Sequence, residues 1–118
     1  HVYIHDNIGS GIVGKTDPQC DPATQRPNFT MRNLYFHHNK IENTKHEGFY
    51  VGNSHYDTYV TKTCGGVSTK LYEHDIIGVE IAYNELKNIG NDGIQVGSSK
   101  NAKIHHNTVN GSGAGGSL

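Results

Sequence analysis

Ile81–Gly97 reads IAYNELKNIGNDGIQVG, and the chain repeats it. Moved back by 45 residues, it falls on Phe36–Gly52, FHHNKIENTKHEGFYVG. Moved forward by 23, it falls on IHHNTVNGSGAGGS, which starts at Ile104. Asn39, Asn84 and Asn107 share one column. Ile41, Leu86 and Val109 share a second, and Gly48, Gly93 and Gly116 a third. At an offset of 37 the opening residues join, with Ile4 on Ile41, Asp6 on Asn43, Gly11 on Gly48 and Ile12 on Phe49. A period in the twenties with apolar, Asn and Gly columns is the signature of a solenoid. The uninterrupted step of 23 residues is too short for a helix-bearing leucine-rich repeat, and no LxxLxL run occurs. It suits three short strands separated by turns.

Composition agrees. Among 118 residues there is no Trp, 33% are apolar and 15 are Gly, which is too polar for a helical bundle. Ile, Val, Tyr and Phe recur at regular places, so the chain is not disordered. In a β-solenoid each turn buries few side chains and backbone pairing does the rest. Alternation along Phe49-Tyr50-Val51 and Ile94-Gln95-Val96 turns the outer two of each triplet inward and the middle one outward. The expected core is Ile4, Ile8, Ile12, Phe36, Ile41, Phe49, Val51, Ile81, Leu86, Ile94, Val96, Ile104 and Val109. Stacked Asn residues predict a side-chain amide ladder. The Gly column predicts corners with positive φ.

The repeats NKIENTKHEGFYVG (39–52) and NELKNIGNDGIQVG (84–97) resemble those of right-handed parallel β-helix proteins of the pectate-lyase-like superfamily. Their style is that of secreted bacterial β-helix repeat proteins. The resemblance covers nearly the whole chain outside two insertions. It implies an all-β, right-handed parallel β-helix of about four coils. It also implies a secreted or cell-surface location, and lyase, hydrolase or epimerase chemistry on acidic polysaccharide. Residues 1–118 then form part of one domain, with long loops at 15–32 and 53–77. The first loop holds Pro18, Pro22 and Pro27 and reads as irregular. Neither end resembles a capping unit, so the chain reads as a segment of a longer protein.

Candidate chemistry sits on the strand after the Gly column. The offset of 45 stacks Glu47 on Asp92, His46 on Asn91 and Tyr50 on Gln95. Carboxylates about 4.8 Å apart on adjacent strands share a proton, raise one another's pKa or bind a cation. The first outcome supplies an acid and a base for glycoside hydrolysis. The last makes Glu47 and Asp92 a calcium site that neutralises a substrate uronate. Both insertions leave from the end of this strand, after Gly14 and after Gly52, and would wall a groove. Lys15 is the candidate base, and His46, Tyr50, Asn91, Gln95 and His55 are the candidate sugar contacts, with His74, Lys62 and Lys70 as further groups in the second insertion. Asp92-Gly93-Ile94 resembles the Asp-Gly-Ile of polygalacturonases. The second acidic pair, the Gly-His-Gly and the Arg-x-Lys of that family are missing, so its mechanism is not carried over. An acidic residue before a corner Gly also serves simply to cap the turn.

Cys20 and Cys64 follow the same strand in successive repeats, so a disulfide between stacked loops is one reading and two free thiols the other. The disulfide favours an extracellular, cell-surface or periplasmic setting. Net charge is −1, which gives no footprint for nucleic acid, and no apolar run reaches membrane-spanning length. His37 and His105 fall two repeats apart, about 9.6 Å, too far to share a metal ion. Asn28-Phe-Thr and Asn110-Gly-Ser are glycosylation sequons, and the Gly-rich tail lacks the context of a phosphate loop. Two functions remain: polysaccharide binding or cleavage in the groove, or a non-catalytic structural, adhesive or filament-forming module that self-associates through its ends.

Overall fold

The computed structural model describes residues 1–113. Gly116, the last member of the Gly column, lies outside them. Thirteen strands follow one another among the described residues: β1 (Tyr3–Asn7), β2 (Ile12–Gly14), β3 (Thr30–His37), β4 (Lys40–Thr44), β5 (Phe49–Val51), β6 (Val60–Cys64), β7 (Val67–Leu71), β8 (Asp75–Ala82), β9 (Glu85–Ile89), β10 (Ile94–Val96), β11 (Ser99–Lys100), β12 (Lys103–His105) and β13 (Thr108–Asn110). Among the described residues a single 3-10 turn, Pro22–Thr24, interrupts them, with Asp21 accepting from the Ala23 amide at its start. Among the described residues no helix is long and apolar enough to cross a membrane.

The chain is all-β, as its composition requires, but the expected right-handed parallel β-helix of about four coils is corrected. The strands form several small, separate sheets, mostly parallel, and none of them closes. One sheet runs β1-β4-β9-β13 and a second β10-β5-β2. A third places β3, β11 and β12 against β8, and β6 and β7 form an antiparallel hairpin apart from the rest.

Within the parallel sheets the registers match the sequence offsets. Ile4 faces Ile41, Ile41 faces Leu86, and Leu86 faces Val109. Ile12 and Ile94 both face Phe49. Ile41, Phe49, Val51, Ile81 and Leu86 are buried, together with Ile76, Val79 and Ile89. Ile4, Ile12, Phe36, Ile94 and Val96 pack half-buried against them. Three expected core residues are not core. Ile104 and Val109 are 48% and 43% exposed, because they lie on the last described strands and are covered from one side only. Ile8 is 85% exposed. Its column continues through Lys45 and Gly90, which marks a turn position.

The insertions are also more ordered than expected. The first ends at Phe29, because β3 begins at Thr30 and pairs with β8 from Asp75 onward. The second carries the β6–β7 hairpin and ends where β8 begins. Alternating Val60, Thr61, Lys62 and Thr63 suit a two-sided exposed ribbon.

The Gly column has a different reason from the expected one. None of Gly11, Gly48 and Gly93 has positive φ. A Cβ on Gly48 would lie 2.5 Å from both the Gly93 carbonyl oxygen and Leu86 Cδ2. Close approach of stacked backbones selects glycine here. Positive φ falls instead on Asp6, Asn43, Asn88 and Gly111, one column at the same offsets. Asn and Asp tolerate the left-handed region better than other side chains do.

The Asn ladder forms. Asn39 Nδ2 donates to Asn84 Oδ1 at 3.0 Å, and Asn84 Nδ2 donates to Asn107 Oδ1 at 3.0 Å and to the Phe36 carbonyl at 3.0 Å. The Asn39 amide also donates to Asn84 Oδ1, at 2.9 Å. Asn84 is buried, so its loss strands several groups away from water. We expect Asn84→Ala to lower unfolding free energy by about 2–3 kcal/mol in urea denaturation, with Asn107→Ala costing less than half as much.

Candidate functional site

Both insertions rise from the end of the sheet of β2, β5 and β10. The disulfide joins them: Cys20 and Cys64 are bonded, with Cα atoms 5.7 Å apart. Between them lies a cleft of about 370 Å³. Lys15, Asp17 and Gln19 line it from the first insertion, and Ser54, His55, Thr61 and Lys62 from the second. Tyr50, the outward residue of β5, supplies an aromatic ring. Its phenol oxygen is 2.6 Å from Ser54 Oγ, and Lys15 Nζ sits 4.8 Å above the ring centroid. Lys15 Nζ also contacts Asp17 Oδ1 at 3.1 Å, and Lys62 Nζ donates to Gln19 Oε1 at 2.7 Å.

Two buried acceptors line the same cleft. Glu73 is 3% exposed, and its Oε1 has no hydrogen-bond partner in the chain. Asn53 Oδ1 is likewise buried and unpartnered, while its Nδ2 donates to the Thr16 carbonyl at 3.0 Å. A buried acceptor without a donor costs about 1–3 kcal/mol. Next to Glu73, His74 is fully buried and fixed. Its Nε2 accepts from the Thr16 amide at 3.3 Å, and its Nδ1 faces the Asp75 carbonyl at 3.0 Å. A carbonyl only accepts, so the ring is the neutral Nδ1–H tautomer. It ties the base of the second insertion to the first.

The sequence-derived residues divide into two groups. Lys15, Tyr50 and His55 converge on the cleft. Gln95 reaches toward it, with Nε2 3.5 Å from Ser54 Oγ. Glu47, Asp92, His46 and Asn91 do not line it. Glu47 and Asp92 do stack, since the Gly48 amide donates to the Asp92 carbonyl at 3.1 Å and the Gly11 amide to the Glu47 carbonyl at 2.9 Å. Glu47 Oε2, however, accepts from Ser10 Oγ at 3.1 Å. Among the described residues no cationic side chain pairs with either carboxylate. His46 Nδ1 lies 3.4 Å from Asn91 Nδ2, a contact between neighbouring repeats. Lys70 lies over the Tyr59 ring at 4.5 Å.

Displaced pKa values occur elsewhere, on the open face of β1 and β4. The Lys40 ammonium, 3.1 Å from Glu42, holds that carboxyl below its usual range, and Glu42 in turn raises Lys40. The Tyr3 phenol is pushed up, first by loss of water and then by donating to Glu42 at 3.1 Å. Asp6 is lowered by its hydrogen bond to His5. These groups are solvated and form no cavity with the cleft residues.

Glu73, Asn53 and Ser54 were not legible as site residues. Glu73 lies deep in the second insertion, where no column marks it, whereas Asn53 and Ser54 continue the offset of 45 onto Ser98 and Ser99, just past the stretch used to set the repeat. Comparison of the chain with protein-family models, curated proteins and solved structures gives no match, and nothing there ties it to the pectate-lyase-like superfamily.

Proposed function

We propose that this protein binds an acidic polysaccharide in the cleft between its two insertions, outside the cell or at its surface. The observation that carries the reading is the pair of buried acceptors, Glu73 Oε1 and Asn53 Oδ1, on side chains lining a cleft that also presents the Tyr50 ring. A sugar offers hydroxyl donors for such acceptors and an apolar ring face for the tyrosine. Lys15 and Lys62 stand on opposite insertions and supply two cations to a ligand that carries carboxylates. The disulfide supports an oxidising compartment. Binding is favoured over cleavage, because Glu47 and Asp92 lie outside the cleft with no base beside them. A calcium ion at those two carboxylates has no added support, since Glu47 is engaged by Ser10.

Calorimetric titration with uronic-acid oligomers and neutral oligomers of the same length tests the proposal. Uronate oligomers should bind, neutral ones should bind at least about tenfold more weakly, and Tyr50→Ala or a Lys15→Ala/Lys62→Ala pair should each cost about tenfold. Equal binding of neutral oligomers, or no effect of the substitutions, overturns it. Absence of binding to any polymer, with concentration-dependent association, would instead favour the structural, adhesive or filament-forming reading.

A further inference from the structure

A second feature lies at the opposite turn, where β3 ends and β4 begins. The column His1, His38, Tyr83 and His106 forms a continuous aromatic stack. Ring centroids are 5.2 Å apart from His1 to His38, 5.2 Å from His38 to Tyr83 and 4.8 Å from Tyr83 to His106, with interplanar angles of 20°, 13° and 16°. His38, Tyr83 and His106 all have positive φ, which turns each ring out beside the Asn ladder. The Val2 amide donates to Asn39 Oδ1 at 3.1 Å and so fixes His1 above this turn.

His37 completes a cluster. Its Nδ1 faces His38 Nδ1 at 3.0 Å, and its ring meets the His1 ring edge-on at 5.9 Å. One nitrogen from each of His1, His37 and His38 lies within 4.8 Å of the others. Tyr35 stacks on His37 at 4.3 Å and Tyr83 on His38, so two of the rings are braced. Nitrogen ligands at about 2.0–2.1 Å around a tetrahedral ion stand roughly 3.4 Å apart. The three nitrogens, all within 4.8 Å of one another, are close enough for ring rotations to bring them to that spacing.

We propose that His1, His37 and His38 form a binding site for a late first-row divalent metal ion of the zinc, copper or nickel type, with the remaining coordination positions open to water or ligand. Three neutral imidazoles suit these ions and not calcium or magnesium, which prefer oxygen. The equivalent turn of the last repeat shows what the site needs. His105 and His106 also face each other, Nδ1 to Nδ1 at 2.6 Å, but Tyr83 occupies the place of a third imidazole. His105 Nε2 is engaged by Glu80 Oε1 at 2.8 Å. The first cluster has three nitrogen ligands where the last has two.

The test is calorimetric titration of the untagged chain with Zn²⁺ near neutral pH, with Cu²⁺ broadening of histidine NMR signals as a second readout. One ion should bind, and His37→Ala should weaken it by about tenfold or more. His38→Phe keeps a ring in the stack while removing the ligand, and should weaken binding equally without loss of fold by circular dichroism. His1→Ala, which leaves the backbone in place, isolates that imidazole and should also weaken binding. His105→Ala should leave it unchanged. Affinity should fall in acid, because protons compete with the metal ion for imidazole nitrogens. Failure to bind Zn²⁺, or binding indifferent to both His37→Ala and His38→Phe, overturns the proposal, as does binding abolished by His105→Ala alone.

Discussion

Gly52→Ala should unfold the protein under conditions in which Gly65→Ala leaves it folded. Both glycines have positive φ, +78° at Gly52 and +58° at Gly65, so both alanines carry the strain of the left-handed region, about 1–2 kcal/mol. They differ in what the new Cβ meets. At Gly65, in the exposed hairpin turn, nothing lies within 4 Å. At Gly52 the Cβ would stand 1.8 Å from the Gly97 carbonyl oxygen and 2.6 Å from its carbon. That neighbour is backbone of the next repeat and has no rotamer to change. Relief requires β5 and β10 to separate where Phe49 and Val51 are fully buried. The loss should be on the order of 4 kcal/mol or more, against about 1 kcal/mol for Gly65→Ala. Native stabilities run to about 5–15 kcal/mol, so the first change takes most of what there is. Urea denaturation of the two variants compares them directly, and equal midpoints would mean that the repeats are not in contact at this turn.

Removing the disulfide should have a loss of similar size and a second consequence at the cleft. Cys20 and Cys64 are 44 residues apart, and the loop they close contains β3, β4 and β5. Freeing that loop in the unfolded chain favours unfolding by about 4 kcal/mol on the chain-entropy account. The bridge also ties the first insertion to the β6–β7 hairpin, which are the two walls of the cleft. Cys20→Ser/Cys64→Ser should therefore lower thermal stability, speed amide exchange in both insertions and weaken oligosaccharide binding by about tenfold. Stability lost with affinity intact would show that the walls hold their places without the bridge.

Much of the parallel pairing was legible, because identical residue types recur at fixed offsets. Asn39, Asn84 and Asn107 announced their ladder, and Ile41 with Leu86 announced the register of β4 and β9. The right-handed parallel β-helix inferred from them was not what formed. Repeats specify how neighbouring strands pair, and the second insertion adds an antiparallel hairpin outside that register. Ile76, Val79 and Ile89 were missed as core. The first two flank Gly78, whose column with Asn33 and Asn101 lies just ahead of the stretch used to set the repeat, and Ile89 replaces a polar Thr44 in its column. At the candidate site, Lys15, Tyr50 and His55 were found because they adjoin the repeated strand. Glu73 was not, since the interior of the insertion carries no periodic signal, and Asn53 was not, since Thr16 and Ser98 in its column are different residue types. His1 was within reach: the offset of 37 places it on His38, and only the comparison of His37 with His105 argued against a metal.

The claim on which the functional account rests is that the cleft between the insertions is the binding site. Chemical-shift mapping of the labelled protein during titration with a uronic-acid tetramer tests it most directly. The account predicts that the amides of Lys15, Gln19, Tyr50, Asn53, Ser54, His55 and Lys62 move in concert toward saturation, while those of Glu47 and Asp92 stay fixed. Shifts centred on Glu47 and Asp92, or no saturable shifts in the cleft, would contradict it.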